Sequence, residues 1–464
     1  MLKGGRAVGE ETIAAIATGA GEGGIGIVRI SGADALQVAE RIFRPRRGRP
    51  LGCRRSHTVT YGWVVTPGGD RIDEALALVM RGPHSYTGED VVELQCHGGQ
   101  LAVRRVLEQA LQAGARLAEP GEFTRRAFLN GRLDLSQAEA VVDLIRAKTD
   151  RAMAAAVAHL GGSLRQAVGR IRERLMEMMA HLEADIDFPE LELEVQTREE
   201  VAAGCGWCLA EVERLLSGAR TGRILREGLR AVLAGRPNVG KSSLLNRLVR
   251  ENRAIVTPIP GTTRDVIAEW VELGGVPVQL FDTAGLRPTD DPVERIGVAR
   301  THEALAQAHL VLVVVDAAAG LGPEDREWIS QLPQGAARVG VANKIDLNPA
   351  FELSALREAL GGAPVVGVSA ETGEGLDALE AEVARVAGAF DASEELLVNA
   401  RQAEAIRRAR NHLRDAQATL ESGLGDELVA IDLRAAWMAL GEVTGETAGE
   451  ELLDQIFSRF CIGK

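Results

Sequence analysis

The sequence predicts a multidomain fold that joins an α/β domain and an all-α domain, with a Ras-like P-loop α/β domain inserted into the helical part. Three observations support this class. Short apolar strands alternate with amphipathic helices up to about residue 120, and helical spacing then runs to about residue 216 and returns from about residue 396. A phosphate-loop motif lies between the two helical stretches. Because each helical block alone exposes apolar stripes, the two are expected to pack together around an insertion.

The N-terminal α/β part is predicted from four strands and two helices. The strands are IVRIS, TVTYGWVV, IDEALALVM and VVELQ, with a turn at Pro67-Gly68-Gly69-Asp70. The helices are ADALQVAERIF and LAVRRVLEQALQAG. Gly21, Gly23 and Gly26 have the spacing of a dinucleotide-binding loop. A strand follows them instead of a helix, so a Rossmann site is rejected.

The amino-acid composition and charge of the chain exclude several classes of protein. A net charge of −13 argues against a protein coated in positive charge; the basic loop Phe43–Arg49, with Arg54 and Arg55, is interpreted first as a solvated loop and second as a local patch. Five scattered cysteines indicate a reducing compartment, and Cys205 with Cys208 lacks the further ligands of a zinc site. With no membrane-spanning run and no apolar leader, we expect a soluble cytoplasmic protein without membrane association.

The phosphate loop is the segment G-R-P-N-V-G-K-S-S, which begins at Gly235 between the apolar run AVLA and the helical run LLNRLV. Its glycines let the main chain point N–H groups at a β-phosphate. Lys241 is expected to contact the β- and γ-phosphates, and Ser242 to bind Mg²⁺. The predicted nucleotide contacts in this loop are Asn238, Val239, Gly240, Lys241, Ser242 and Ser243.

Three further strand ends complete the predicted nucleotide site. The string F-D-T-A-G follows VPVQL, which places Asp282 to hold Mg²⁺ through water and the Gly285 N–H near a γ-phosphate. The string N-K-I-D follows RVGVA, and the Asp346 carboxylate can accept two N–H donors that guanine offers and adenine lacks. The backbone after VVGV is expected to support the guanine carbonyl, so the predicted ligand is GTP. The contacts predicted from these strings are Asp282, Thr283, Ala284, Gly285, Asn343, Lys344, Asp346, Ser369 and Ala370.

The loop T-P-I-P-G-T-T-R-D is predicted to close over the γ-phosphate as a switch, with Thr263 giving Mg²⁺ a second hydroxyl. Asn238 and carbonyl groups of this loop could also hold a monovalent cation. Leu286 stands where small signalling GTPases keep a water-orienting glutamine, so another group must position the water, or hydrolysis is slow. The predicted contacts of the loop are Thr257, Pro258, Ile259, Pro260, Gly261, Thr262 and Thr263.

Several strings of the chain together point to one family. They are G-R-P-N-V-G-K-S, P-G-T-T-R-D, D-T-A-G-L-R, V-E-R-I-G and N-K-I-D, and more specifically G-E-F-T-R-R-A-F-L-N-G-R-L-D-L-S-Q-A-E-A and the terminal F-C-I-G-K. Through these strings the chain resembles, from end to end, the tRNA-modification GTPase family called MnmE or TrmE. The resemblance implies an N-terminal folate-binding and dimerisation domain, a discontinuous helical domain and an inserted GTPase domain. The predicted boundaries are 1–122, 123–220, 221–388 and 389–464.

Site residues follow from the resemblance by position. It implies that Asn238, Thr257, Ile259 and Thr262 hold K⁺, and that Ser242 and Thr263 hold Mg²⁺. Glu294 would orient the attacking water beside Lys241 and Asp282, although a plain surface carboxylate is the alternative. Arg29, Glu93, Arg132 and Lys464 would bind a 5-formyl- or methylene-tetrahydrofolate. Cys461 is left open between a nucleophile and a small apolar anchor.

The function implied by the resemblance is K⁺-dependent GTP hydrolysis that accompanies tRNA modification. A homodimer would join an FAD-dependent partner in a heterotetramer. Together they would use a folate one-carbon unit to add an aminomethyl or carboxymethylaminomethyl group at C5 of the wobble uridine. The main alternative is a ribosome-assembly GTPase that acts as an RNA-binding switch. A signalling GTPase is disfavoured by Leu286 and by the absence of a lipidation motif.

Overall fold

The computed structural model describes residues 11–19, 21–187, 197–252, 268–282, 305, 308–332, 336–388 and 398–464. The chain forms two compact units, the first comprising Met1–Val142 with Gly441–Lys464 and the second Asp143–Leu440. Within the described ranges, no helix is long and apolar enough to span a membrane. The domain boundaries predicted at residues 122, 220 and 388 stay predictions.

The helices follow the chain in a simple order. They are α1 (Ala35–Ile42), α2 (Gln100–Gln112), α3 (Glu122–Leu129), α4 (Leu135–Arg146), α5 (Asp150–Leu160), α6 (Ser163–Asp187), α7 (Arg198–Ser217), α8 (Ala219–Glu227), α9 (Lys241–Asn252), α10 (Pro323–Ser330), α11 (Leu353–Ala359), α12 (Leu376–Val386), α13 (Ala400–Glu421), α14 (Asp426–Thr444) and α15 (Glu450–Phe457). The two long helical stretches expected from the periodicity are therefore present.

The described part of the first unit is built on a seven-stranded sheet, here the first sheet. Its strands are β1 (Ile13–Ile16), β2 (Ile25–Ser31), β3 (Phe43–Pro45), β4 (Thr58–Val65), β5 (Arg71–Met80), β6 (Val91–His97) and β7 (Arg116–Leu117). Their order is β3-β4-β5-β6-β2-β1-β7, antiparallel except for β1 beside β7. All four predicted strands are confirmed. The alternation missed β1, β3 and β7, because two to four residues are too few to show a period of two.

Local sequence explains how the first sheet forms and what covers it. The predicted turn between β4 and β5 is closed by hydrogen bonds in both directions, from Gly69 N to Thr66 O and from Thr66 N to Asp70 O, each 2.9 Å. Strand β2 begins at Ile25, directly after the glycine run, which confirms the rejection of a Rossmann loop. Helices α1 and α2 bury their apolar stripes against one face of the sheet, over side chains such as Ile30 and Leu94.

In the described part of the second unit, six strands form a doubly wound sheet, here the second sheet. They are β8 (Leu229–Ala234), β9 (Ala268–Leu273), β10 (Val276–Asp282), β11 (Leu310–Asp316), β12 (Ala337–Asn343) and β13 (Val365–Val368), in the order β13-β12-β11-β8-β10-β9. All neighbours are parallel except β9 beside β10. Leu244 of α9 and Leu379 of α12 lie in the core on one face, and Ile329 of α10 and Leu356 of α11 in the core on the other.

Helices that precede the second sheet along the chain pack against helices that follow it, as expected if the sheet belongs to an insertion between them. Arg414 of α13 forms a 2.7 Å ion pair with Glu213 of α7, and Arg198 of α7 donates to Leu424 O at 2.6 Å. Cys205 and Cys208 lie buried in α7, and burial raises the pKa of the two thiols to about 11 and about 12. Such thiols stay protonated at neutral pH, which agrees with a structural role.

Candidate functional site

The parallel strands of the second sheet bring the predicted nucleotide segments to one edge. Asp282 at the end of β10 pairs with Leu233 of β8, just before the phosphate loop. Asn343 at the end of β12 pairs with Asp316 of β11 and with Val368 of β13. Ligands of open parallel sheets bind at the carboxyl ends of the strands, so this edge is the candidate nucleotide site.

At two positions of the phosphate loop, atoms of neighbouring strands lie so close to the backbone that only glycine fits. Gly240 has a φ of +92°, and a Cβ there would overlap the amide nitrogen of Asn343. A Cβ at Gly235 would overlap the carbonyl oxygen of Val314 in β11. Asn238 also has a left-handed φ, +67°, which asparagine tolerates better than most residues. The spacing of the motif therefore has a steric cause in the neighbouring strands.

Lys241 is held against the phosphate loop. Its Nζ donates to Gly235 O and to Arg236 O, both at 2.8 Å, and the side chain is buried. Because α9 begins at Lys241, the first turn of that helix also directs main-chain N–H groups toward the loop. The arrangement combines a fixed ammonium with a helix N-terminus, which together favour a bound phosphate.

Asn343 links the phosphate loop to the loop after β13. Its Nδ2 donates to Val239 O at 2.9 Å, and its Oδ1 accepts from Ala370 N at 3.1 Å. The Ser369 N–H donates to Glu374 O at 2.9 Å. Both backbone N–H groups predicted to support guanine are thus engaged within the protein in this structure. The side chain of Asn343 is almost completely buried, so it acts as an internal brace of the site.

Lys344 adds a second brace that sequence reasoning did not find. Its Nζ lies 2.6 Å from Asp316 Oδ2 and 3.1 Å from Asn238 O. Burial alone would raise the pKa of Asp316, but the hydrogen bond and charge of Lys344, with two backbone N–H groups, hold it below the usual value. Asp346, two residues further along the chain, is exposed, so its carboxylate is accessible to a guanine base. A terminal aspartate on an apolar strand was the available signal for Asp316.

Ser242 and Ser243 are exposed in the first turn of α9, and eleven further predicted residues lie outside the described residues. These are Thr257, Pro258, Ile259, Pro260, Gly261, Thr262, Thr263, Thr283, Ala284, Gly285 and Glu294. Asp282 is described only as the last residue of β10, without its side chain. The switch loop, the second Mg²⁺ ligand and the water-orienting carboxylate therefore stay predictions.

The four residues predicted to bind folate lie in one neighbourhood of the first unit, here the cationic cluster: Arg29, Glu93, Arg132, Lys464 and the intervening Tyr86. Arg29 of β2 pairs with Glu93 of β6 across the sheet, and Arg29 Nε lies 2.8 Å from Glu93 Oε1. The guanidinium carbons of Arg29 and Arg132 lie 5.0 and 5.1 Å from the centre of the Tyr86 ring. Tyr86 had no signal in the sequence, because only the fold brings it between two arginines.

The C-terminal tail completes this cluster. Arg29 Nη1 donates to Gly463 O at 3.3 Å, and Gly463 has a φ of +95° at a point where a Cβ would overlap Ile16 O. Burial, and then the charge of Arg29, lowers the pKa of the Lys464 amine. Cys461 is exposed, and its carbonyl accepts from Gly121 N at 3.4 Å. Its chemical role stays a prediction.

A buried charge network that the sequence did not reveal lies in the same unit and includes Glu89, which follows Tyr86 closely along the chain. Arg126 is buried and pairs with Glu89 at 3.1 Å and with Glu122 at 2.9 Å, and Arg116 pairs with Glu122 at 2.6 Å. Burial opposes the charge of Glu122, but hydrogen bonds from Arg116, Glu119 N and Arg126 lower its pKa overall. Paired buried charges fix geometry, so the network holds the segment that carries Tyr86.

Comparison with known proteins finds relatives that match nearly the whole chain. The family model "MnmE helical domain" matches residues 135–461, and "GTP-binding protein TrmE N-terminus" matches residues 12–132. A tRNA modification GTPase MnmE of Symbiobacterium thermophilum is 98% identical over 98% of this chain and 100% of its own length. One of Moorella thermoacetica is 50% identical over the same shares. Among solved structures, Era of Aquifex aeolicus bound to GDP·AlF4⁻ is 25% identical over 39% of this chain and 66% of its own, with a TM-score of 0.29, a likeness too small to support an argument.

Proposed function

This chain belongs to the MnmE family of tRNA modification GTPases and is a GTP hydrolase, and we propose that it couples hydrolysis to modification of the wobble uridine of tRNA. The observation that carries the GTP part of this proposal is the shared edge of the second sheet, and the tRNA part rests on the family. There Asn343 joins the phosphate loop to the loop after β13 while Lys241 lies against the phosphate loop. We propose that GTP hydrolysis and tRNA modification take place in the cytoplasm.

In the proposed mechanism the chain mainly positions GTP and stabilises charge. The ammonium of Lys241 leaves the loop carbonyls and neutralises negative charge on the β- and γ-phosphates. The exposed Asp346 accepts the guanine N–H donors, and the Asp316–Lys344 pair keeps the preceding turn in place. Glu294 orients the attacking water, since Leu286 offers no group for that task.

Two cations complete the proposed GTP site. The donor chemistry fits both, because Ser242 is the second residue of helix α9, directly after Lys241, and the left-handed Asn238 lies in the phosphate loop itself. Ser242 and Thr263 would hold Mg²⁺, which would supply positive charge to offset the charge of the phosphates. Asn238, Thr257, Ile259 and Thr262 would hold K⁺, which supplies positive charge where other GTPases use an arginine finger.

The cationic cluster is the proposed folate site. The side chains of Arg29, Arg132 and Lys464 carry three positive charges against the one side-chain carboxylate of Glu93, so the cluster suits a ligand with carboxylates. Glu93 offers an acceptor for the amino edge of a pterin, and the Tyr86 ring gives a flat surface for stacking. A 5-formyl- or methylene-tetrahydrofolate would supply a one-carbon unit there. The residues hold and orient this ligand.

The proposed partners follow from the family. Two copies form a homodimer and join an FAD-dependent protein in a heterotetramer that acts on tRNA. GTP hydrolysis drives opening and closing of the paired GTPase domains and leaves the carbon chemistry to the partner and folate. The ribosome-assembly alternative is disfavoured, because relatives that match nearly all of this chain bear the tRNA-modification name.

The test is mass spectrometry of nucleosides from total tRNA of source cells with and without the gene. We expect a C5-substituted wobble uridine to disappear and to return with the wild-type gene. It should not return with Lys241→Ala or Asp282→Ala, whereas Ser330→Ala on the exposed surface of α10 should restore it. An unchanged nucleoside profile with altered ribosomal subunit ratios would contradict the proposal in favour of ribosome assembly.

A further inference from the structure

The loop after α1 concentrates positive charge in an acidic protein. Residues 44–55 contain six arginines, and no aspartate or glutamate occurs between Glu40 and Asp70, although the whole chain has a net charge of −13. Solubility does not require such an excess of positive charge, since a loop with charges of both signs is equally soluble. The structure shows where these arginines lie.

Three of them line a concave surface beside the edge strand β3 and its neighbour β4. The pocket has a volume of ≈ 520 Å³, and here it is named the arginine pocket. Its lining residues are Arg46, Arg47, Arg54, Val59, Thr60 and Tyr61. Tyr61 is 38% exposed and Val59 is 57% exposed, so an aromatic side chain and an apolar side chain are accessible beside the guanidinium groups.

The loop is held by hydrogen bonds to main-chain carbonyls. Arg54 donates to Arg49 O at 3.2 Å and to Arg47 O at 3.1 Å, and Arg81 donates to Gly52 O at 2.7 Å. Gly48 has a φ of +89°, and its missing side chain leaves room for the Arg54 guanidinium. These bonds fix the backbone and leave the positive charge of the arginines in place.

Within the described residues, none of the three pocket arginines has a carboxylate partner. This contrasts with Arg104 of α2 in the same unit, which pairs with Glu108 at 3.2 Å. The nearby Glu40 accepts from Gly52 N at 2.6 Å instead. Because like charges repel at close range, a pocket whose three guanidinium groups have no carboxylate partner among the described residues favours the binding of an anion.

The chemistry of the pocket distinguishes among anions. Arg46 donates to Tyr61 Oη at 3.3 Å, and its guanidinium carbon lies 5.5 Å from the centre of the Tyr61 ring. Guanidinium groups match phosphate oxygens in pairs, and an exposed aromatic ring beside them offers a stacking surface for an unpaired base. A peptide carboxylate would use the arginines and leave the ring without a partner.

We propose that the arginine pocket binds an RNA strand, with Arg46 and Arg47 on backbone phosphates and Tyr61 against a base or ribose. The inference rests on the proposed function, because it assigns a contact surface to the tRNA that the function requires. The site lies on the β3–β4 side of the first sheet, whereas the cationic cluster is centred on β2 and β6. It therefore adds a second anion-binding surface to the same unit.

The experiment measures binding of a labelled tRNA transcript to the full-length chain over a series of KCl concentrations. For Arg46→Ala/Arg47→Ala we expect at least about tenfold weaker binding and a slope of log affinity against log salt that is shallower by about two. Tyr61→Leu should weaken binding less and leave the slope unchanged, since stacking releases no counterions. GTP hydrolysis in the absence of RNA should be the same in all variants.

The matched control is Arg104→Ala/Arg105→Ala, which removes two exposed adjacent arginines from α2 of the same unit. Equal losses in both double variants would mean non-specific charge attraction and would overturn the inference, as would wild-type affinity in Arg46→Ala/Arg47→Ala. Unchanged tRNA binding with lost binding of polyglutamate would assign the pocket to acidic polypeptides and overturn it too. These outcomes leave the proposed function standing, because that function fails only on an unchanged nucleoside profile in cells.

Discussion

The phosphate loop takes its shape from one contiguous stretch of main chain, whereas the cationic cluster is assembled from distant segments, and its contact between Arg29 and Gly463 O joins residues 434 positions apart. In the phosphate loop, Gly235 and Gly240 are fixed by neighbouring strands that leave no room for a Cβ. In the cationic cluster, Arg29 and Glu93 meet only because β2 and β6 pair in one register. The first kind of site depends on backbone shape, and the second depends on long-range packing.

This difference predicts how each site responds to change. A contiguous loop should fail sharply when one backbone angle becomes unavailable, because every N–H group in it moves together. A dispersed cluster should lose affinity in steps, one side chain at a time. The sites should also be independent, so that a variant of one leaves the ligand of the other unaffected.

The largest effect is expected for Gly240→Ala. The added Cβ would overlap the Asn343 amide and favour a different φ, so the phosphate loop cannot keep its shape. We expect GTP hydrolysis to fall about 100-fold or more, as a misplacement of about 1 Å can do. Gly320→Ala is the control, since Gly320 also has a positive φ, +78°, but has open space around it. Equal losses of hydrolysis in both variants would contradict the steric argument.

The next effect is expected for Asn343→Ala. The variant leaves Val239 O and Ala370 N without their partner in a buried place, which should lower the free energy of unfolding by about 1–3 kcal/mol. GTP affinity, measured with a fluorescent analogue, should fall about tenfold because two loops lose their connection. Asn348→Ala removes only one hydrogen bond, to Ala317 O, and should keep GTP affinity. Wild-type GTP affinity in Asn343→Ala would show that the brace is unnecessary.

A smaller effect is expected in the cationic cluster. Glu93→Gln keeps the shape of the side chain and removes the charge that faces Arg29. Binding of 5-formyltetrahydrofolate, measured by calorimetry, should weaken about tenfold, while GTP hydrolysis stays at the wild-type rate. Glu74→Gln on the neighbouring strand β5 is the matched control and should bind folate normally. A parallel loss of GTP hydrolysis would break the independence of the two sites.

The smallest effect is expected from pH. Burial, followed by the charge of Arg29, lowers the pKa of Lys464 from its ordinary value of 10.5. Between the lowered pKa and 10.5 the unfolded chain binds more protons, so the free energy of unfolding should rise with pH in that window. An anionic folate prefers the protonated amine, so its affinity should fall a few-fold over the same rise. The variant Lys464→Met should bind folate weakly at every pH. A pH dependence that survives this substitution would assign the titration to another group.

The comparison also explains what the sequence could predict. The phosphate loop, the strand ends beyond it and the four long strands of the first sheet come from local spacing, which a sequence displays directly. Asp316, Tyr86 and the network of Glu89, Arg126 and Glu122 have no such spacing, because their partners lie on other elements. Arg29 and Glu93 were found only through resemblance. A residue whose role is defined by a distant partner remains invisible until register and packing are known.

The contact between Arg29 and Gly463 has a consequence for biosynthesis. A ribosome adds roughly 5–20 residues per second, so 434 residues separate the two ends of this contact by roughly 20–90 s of translation. The Arg29–Glu93 pair can form early on the nascent chain, but Gly463 and Lys464 can join it only after residues 143–440 have been made. The cluster is therefore completed only after the whole of the second unit has been made. A truncated product of stalled translation would carry the sheet without a finished anion site.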